Sequence, residues 1–149
     1  MTAMALLVPG ITPAGEGQDG VAWNVLGHRY LLKAECEGTF CFETHDPPGS
    51  SVPLHIHPTQ DEFIHVLEGI LDLRLGDATA RAGAGDLVRM PRGVPHAYHN
   101  DGDVPARALF WVSPARRLRA LFDRLHDLAD LDEAVRLSRE HEVEFLPPG

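Results

Sequence analysis

The chain has 149 residues, of which 44% are hydrophobic and 23% charged, and its formal net charge is −9. These values describe one ordinary globular domain, large enough to bury a core. No cluster of Lys and Arg stands out in the first hundred residues, so no nucleic-acid partner is expected. No apolar run approaches the roughly 20 residues of a membrane span, so no membrane partner is expected.

The first segment, residues 1–20, is rich in Gly, Pro and Thr and shows no period. It reads as an arm that packs on a partner subunit. Its apolar stretch Met4–Val8 has no charged flank and is too short for the apolar core of a signal peptide, so a cytoplasmic protein is expected.

From Trp23 to Val112 short runs of β-branched, aromatic and Leu residues recur between Gly, Pro, Asp and Asn. The predicted strands are Gly27–Glu35, Thr39–Thr44, Ser51–His57, Glu62–Leu67, Ile70–Leu75, Asp86–Met90, His96–Asn100 and Ala106–Val112. Such spacing predicts an all-β sandwich or barrel of antiparallel neighbours. Cys36 and Cys41 flank the predicted turn Glu37-Gly38-Thr39 and are expected to stay reduced thiols in the cytosol.

After Ser113-Pro114 the apolar period changes from 2 to 3.6. Leu118, Leu121, Phe122, Leu125 and Leu128 mark one helical face, with Ser113 as the expected cap and Pro114 at the first helical position. A second helix is expected from Asp130, with Glu133 completing a capping box and Leu131, Ala134, Val135 and Leu137 on its apolar side. The domains predicted from this pass are the arm, residues 1–20, a β-barrel, residues 21–114, and a helical tail, residues 115–149.

Chemistry concentrates in two windows. His55 and His57 are two apart on a strand, so both imidazoles point to one face. Pro58 ends that strand, and Glu62 opens the next, which returns a carboxylate to the same space. His96 opens a later strand and offers a third nitrogen. A buried carboxylate among neutral imidazoles is costly without a cation, and a divalent ion offsets that cost. With three neutral imidazoles and one carboxylate, a divalent ion keeps about one positive charge and has two open positions when six-coordinate.

The first window reads G-x5-HxH-x4-E-x6-G from Gly49 to Gly69, and the second reads G-x5-PxG-x2-H-x3-N from Gly85 to Asn100. The pair resembles the two signature motifs of the cupin superfamily, and residues 27–114 resemble small single-domain quercetin-dioxygenase-like bacterial cupins. The resemblance implies a double-stranded β-helix, or jelly roll, with one divalent transition metal (Fe, Mn, Ni, Co or Zn) held by His55, His57, Glu62 and His96. It further implies Glu62 as a catalytic base.

The reaction class this implies is a dioxygenase-type oxidation of a small flavonol, diketone or enediol-like substrate. The alternatives are a non-redox metal-dependent isomerase, lyase or decarboxylase, and a binding cupin without turnover. A homodimer is expected, because jelly-roll sheets leave edges that need cover. His65 and His99 have the wrong strand parity for the site. Tyr98 shares the face of His96 and either packs or donates a hydrogen bond. Phe40, Phe42, Ile64 and Val66 are candidate pocket-wall residues, whereas His28, His45, His126 and His141 show no pattern and are expected to be surface or incidental.

Overall fold

The connections between the β-rich runs are too short for helical crossovers, so each strand must find an antiparallel partner. In the computed structural model, which describes residues 6–147, eleven strands and two α-helices do so around one core. The strands are β1 (Ala22–Val25), β2 (His28–Cys36), β3 (Thr39–Asp46), β4 (Ser51–Ile56), β5 (Asp61–Glu68) and β6 (Ile70–Leu75). They continue with β7 (Ala78–Gly83), β8 (Leu87–Met90), β9 (His96–His99), β10 (Ala106–Ser113) and the short β11 (Glu144–Phe145).

Two antiparallel sheets result, in the orders β1-β2-β3-β10-β5-β8 and β11-β4-β9-β6-β7. This is the expected jelly roll, but the expected barrel is corrected: among the described residues no strand pairing joins one sheet to the other, so the fold is a two-sheet sandwich. The chain changes sheets instead of closing them. Between β5 and β6 it does so at Gly69, where φ is +75° and a Cβ would lie 2.8 Å from the Pro105 carbonyl oxygen. Only glycine tolerates both conditions.

Strand alternation sets the core. In β5 the even-numbered Glu62, Ile64 and Val66 are buried while their odd-numbered neighbours are partly exposed. Tyr30, Leu32, Phe40, Phe42, Ile64, Val66, Leu71, Leu73, Ala108, Phe110 and Val112 fill the space between the sheets. Three elements were not predicted. β1 and β11 are too short to show a period, and β7 (ATARAG) lacks the β-branched and aromatic residues that mark a strand.

The helical region departs from expectation at its start. β10 runs through Ser113, a cis peptide bond precedes Pro114, and α1 begins only at Leu118 (Leu118–Leu125), so Ser113 is no cap and Pro114 lies outside the helix. The predicted apolar face is otherwise present: Leu118, Leu121, Phe122 and Leu125 are buried. Phe122 reaches into the sandwich, with its ring 5.0 Å from those of Tyr30 and Phe42 and 5.5 Å from Trp23. In α2 (Leu131–Glu140) the Asp130 carboxylate accepts from the backbone N–H groups of Asp132 and Glu133, as a cap should. Glu133 turns to Arg136 instead of completing the box, and Leu131 is exposed. The turn between β2 and β3 is Glu37-Gly38, one residue shorter than expected, and Cys36 and Cys41 are free thiols.

Candidate metal centre

The two sheets meet over one cluster. His55 lies in β4 and His57 just beyond it, while His96 opens β9; these belong to the five-stranded sheet. Glu62 comes from β5 of the six-stranded sheet. β4 and β9 are hydrogen-bonded neighbours that place His55 opposite His96, and their rings are 4.3 Å apart. Pro58 and the following turn carry the chain across to Glu62. The four sequence-predicted residues are all buried, and their donor atoms lie within 4.8 Å of one another.

The hydrogen bonds around the cluster orient it. His55 Nδ1 donates to the Pro53 carbonyl (2.7 Å), His57 Nδ1 to Gln60 Oε1 (2.9 Å) and His96 Nδ1 to the Val94 carbonyl (3.2 Å). Each bond fixes the proton on Nδ1 and leaves the Nε2 lone pair free to serve as a ligand. Glu62 Oε2 is 3.5 Å from His57 Nε2 and 2.8 Å from His96 Nε2. The second distance is short, yet the pair is not aligned as a hydrogen bond, and His96 Nε2 is a buried atom without a hydrogen-bond partner. Donors that share one ion at about 2.1 Å stand about 3 Å apart when adjacent. Three free imidazole lone pairs and a carboxylate at these separations fit a borderline divalent cation.

The electrostatics of Glu62 and His55 agree. Burial would raise the Glu62 carboxyl, but the imidazoles of His57, His96 and His55 hold it at about 2. Burial, helped by the neighbouring imidazoles His96 and His57, pushes His55 down to about 3, so it is neutral and able to ligate. His96 is pulled down by burial but raised above its ordinary value by the adjacent Glu62 carboxylate.

Gln60 was not singled out in the sequence, although it lies between His57 and Glu62. It is buried, and its Nε2 donates to the carbonyls of Pro114 (3.1 Å) and Ala115 (2.8 Å). Those bonds fix Oε1 toward His57 and tie the cluster to the chain leading into α1.

A cavity of about 90 Å³ adjoins the cluster. Its walls include Tyr30, Phe42 and Phe110 of one sheet, Tyr98 of the other, and Leu121 and Phe122 of α1. Of the four predicted wall residues, Phe42 lines this space, whereas Phe40, Ile64 and Val66 belong to the core and not to the cavity wall. The tail forms part of the cavity wall: Phe145 in β11 pairs with His55 in β4, and its ring lies 5.2 Å from the His55 ring.

His65 and His99 fall on the outward-facing positions of their strands. Two histidines expected at the surface are buried instead. His28 is held by Asp46, Nδ1 to Oδ1 at 2.7 Å, and His141 donates from Nδ1 to the Leu137 carbonyl at 2.7 Å. Asp46 is 18 residues from His28, and the partner of His141 is a backbone carbonyl, so neither pair leaves a side-chain motif in the sequence.

Residues 42–112 match the sequence model of the cupin domain. The match takes in just under half of the chain and supports the cupin superfamily. It is 37% identical over 67 residues to a tetracenomycin polyketide synthase protein of Streptomyces glaucescens, a match covering 45% of this chain and 45% of that protein. The match thus spans less than half the length of that curated relative. An RmlC-like cupin from Shewanella frigidimarina shares the fold, with a TM-score of 0.66 at 15% identity over 77% of this chain and 99% of that one. A sugar phosphate isomerase of the cupin superfamily from Silicibacter pomeroyi is 26% identical, with a TM-score of 0.54 over 60% of this chain and 61% of that one. Among the described residues, no helix of this chain is long and apolar enough to cross a membrane.

Proposed function

We propose that this cupin is a metal-dependent enzyme that holds one divalent transition metal through His55, His57, Glu62 and His96 and oxidises a small enolisable substrate, a diketone or enediol, in a dioxygenase-type reaction. The observation that carries this reading is the convergence of three oriented Nε2 lone pairs on Glu62, with His96 Nε2 left without a hydrogen bond.

A bound divalent ion supplies positive charge that favours the enolate of such a substrate and, where it is redox-active, electrons for oxygen chemistry. The chain's own groups do the rest. Glu62, ionised and buried, takes a substrate proton at Oε2. His57 is kept in register by Gln60, and the helical tail with Phe145 supplies apolar wall to the cavity.

Largely apolar walls around one polar cluster suit a small substrate with an oxygen chelate and an apolar body. The likeness to a polyketide synthase protein points the same way, because polyketone chains are built of enolisable 1,3-dicarbonyl units. A non-redox isomerase is the second reading, favoured by the likeness to the sugar phosphate isomerase.

Metal analysis of protein purified without a His tag, followed by oxygen-electrode assays with pentane-2,4-dione and small enediols, tests the proposal. Oxygen uptake supports it. Turnover without oxygen favours the isomerase, and metal binding without turnover favours a binding protein. A homodimer in the cytoplasm belongs to the same reading. Leu6, Leu7, Val8 and Ile11 are exposed apolar residues that a second subunit would cover, and light scattering reads the mass.

A further inference from the structure

The cavity has further polar wall residues that the metal cluster does not explain. These are His28, Tyr30 and Tyr98, among largely apolar neighbours. Behind them sits Asp46, fully buried. Its carboxylate accepts from Thr44 Oγ1 at 2.7 Å, is paired with His28 Nδ1 at 2.7 Å and accepts from the Tyr98 hydroxyl at 3.3 Å. His28 is fixed on its far side by Nε2, 3.0 Å from the Ser51 carbonyl, and the Asp46 backbone carbonyl accepts from Asn100 Nδ2 at 3.0 Å.

The three bonds to the carboxylate are unequal. Hydroxyl donors ordinarily sit about 2.5–3.0 Å from their acceptors, so the Thr44 bond is a normal one and the Tyr98 bond is stretched and weak. Asp46 therefore stays satisfied by His28 and Thr44 when Tyr98 turns away. The Tyr98 phenol is the exchangeable member of the network, and it lies at the cavity wall. Tyr30 stands beside it, with its ring 5.9 Å from that of His28.

We propose that Tyr98, assisted by Tyr30, is the specificity-determining residue of this cavity and selects ligands that carry, besides their chelating end, an uncharged oxygen, a hydroxyl or a carbonyl, beside the Tyr98 phenol. The inference rests on the metal-site reading above. An anionic group there is disfavoured, because the neighbouring walls are largely apolar and Asp46 already has its partner in His28. The favoured ligand class is a small chelating enol or ketone that carries one further neutral oxygen.

Two hydroxamates of equal size test this: butanohydroxamate, and 3-hydroxypropanohydroxamate, in which a hydroxyl replaces the terminal methyl. Their chelating ends are identical. Affinities are read by calorimetry on cobalt(II)-loaded protein, with the visible absorption of cobalt reporting that each chelates. An apolar wall would disfavour the hydroxyl. With Tyr98 in place, the hydroxylated probe binds about 3-fold tighter or more, the effect of one hydrogen bond. Tyr98→Phe abolishes or reverses that preference while leaving cobalt uptake and butanohydroxamate affinity unchanged. Tyr30→Phe, which leaves every bond to Asp46 intact, reduces the preference about 2-fold and decides the matter if Tyr98→Phe lowers the melting temperature. Equal affinity of wild type for the two probes, or a preference that survives both substitutions, overturns the inference alone. Failure of wild type to take up cobalt overturns the metal-site reading and this inference with it.

Discussion

Glu62 and Asp46 are both buried carboxylates beside histidine, and they differ in completeness. At Asp46 every donor is turned toward the carboxylate, and the network is closed by protein groups alone. At Glu62 the imidazole N–H groups are turned away, toward Pro53, Gln60 and Val94, and the lone pairs are turned inward. One carboxylate is satisfied by the chain itself, and the other faces lone pairs that a cation would complete. Whether a histidine points its proton or its lone pair at a carboxylate thus separates a structural pair from a ligand site, at equal burial and nearly equal distance.

The largest test of this contrast is removal of ligands. His57→Ala and Glu62→Ala should each take metal content from about one ion per chain to near zero by elemental analysis, and unchanged stoichiometry in both would break the comparison. Next, Asp46→Asn should leave metal content intact but destabilise the fold by about 2–4 kcal/mol in urea melts, because it leaves buried donors unpaired. Loss of metal without loss of stability would invert the roles of the two carboxylates. Gln60→Leu should weaken metal affinity about 10–100-fold in chelator competition while the ion still binds, the usual effect of freeing a ligand histidine from its orienting partner.

The smallest effect is acid dependence. Glu62 is held at about 2 against an ordinary 4.5, so its ionised form stabilises the fold above about pH 4.5, and that contribution is lost as pH falls from 4.5 toward 2. In metal-free protein the melting temperature of wild type should exceed that of Glu62→Gln at pH 6, and the gap should narrow through this window. A gap independent of pH would show that Glu62 is not held ionised by its imidazoles.

Three of the four cluster residues were legible because their information is local, and His96 followed from the resemblance of the second window. Strand parity aligns His55 and His57, Pro58 forces the turn, and Glu62 follows within the span of one hairpin connection. The His28–Asp46 pair was not legible, because its members are 18 residues apart and meet only through the pairing of β2 with β3. Gln60 was hidden for a different reason. A glutamine in a turn reads as solvated, and only the folded chain shows that Pro114 and Ala115 cover it. The expectation of a closed barrel failed because alternation specifies which face of a strand is buried, not which edge it joins. Helix α1 started late because its apolar period says nothing about the residues that lead into it.

The wall of the cavity comes from two stretches of chain that do not overlap. The groups with chemical character fall within residues 28–98, on strands locked by pairing on both sides, whereas α1, α2 and β11 supply much of the apolar surface opposite them. Substitutions at Leu121, Phe122 or Phe145 can therefore reshape what the cavity admits without touching a donor atom. The architecture separates reactivity from selectivity of shape along the sequence, which lets one vary while the other is held constant.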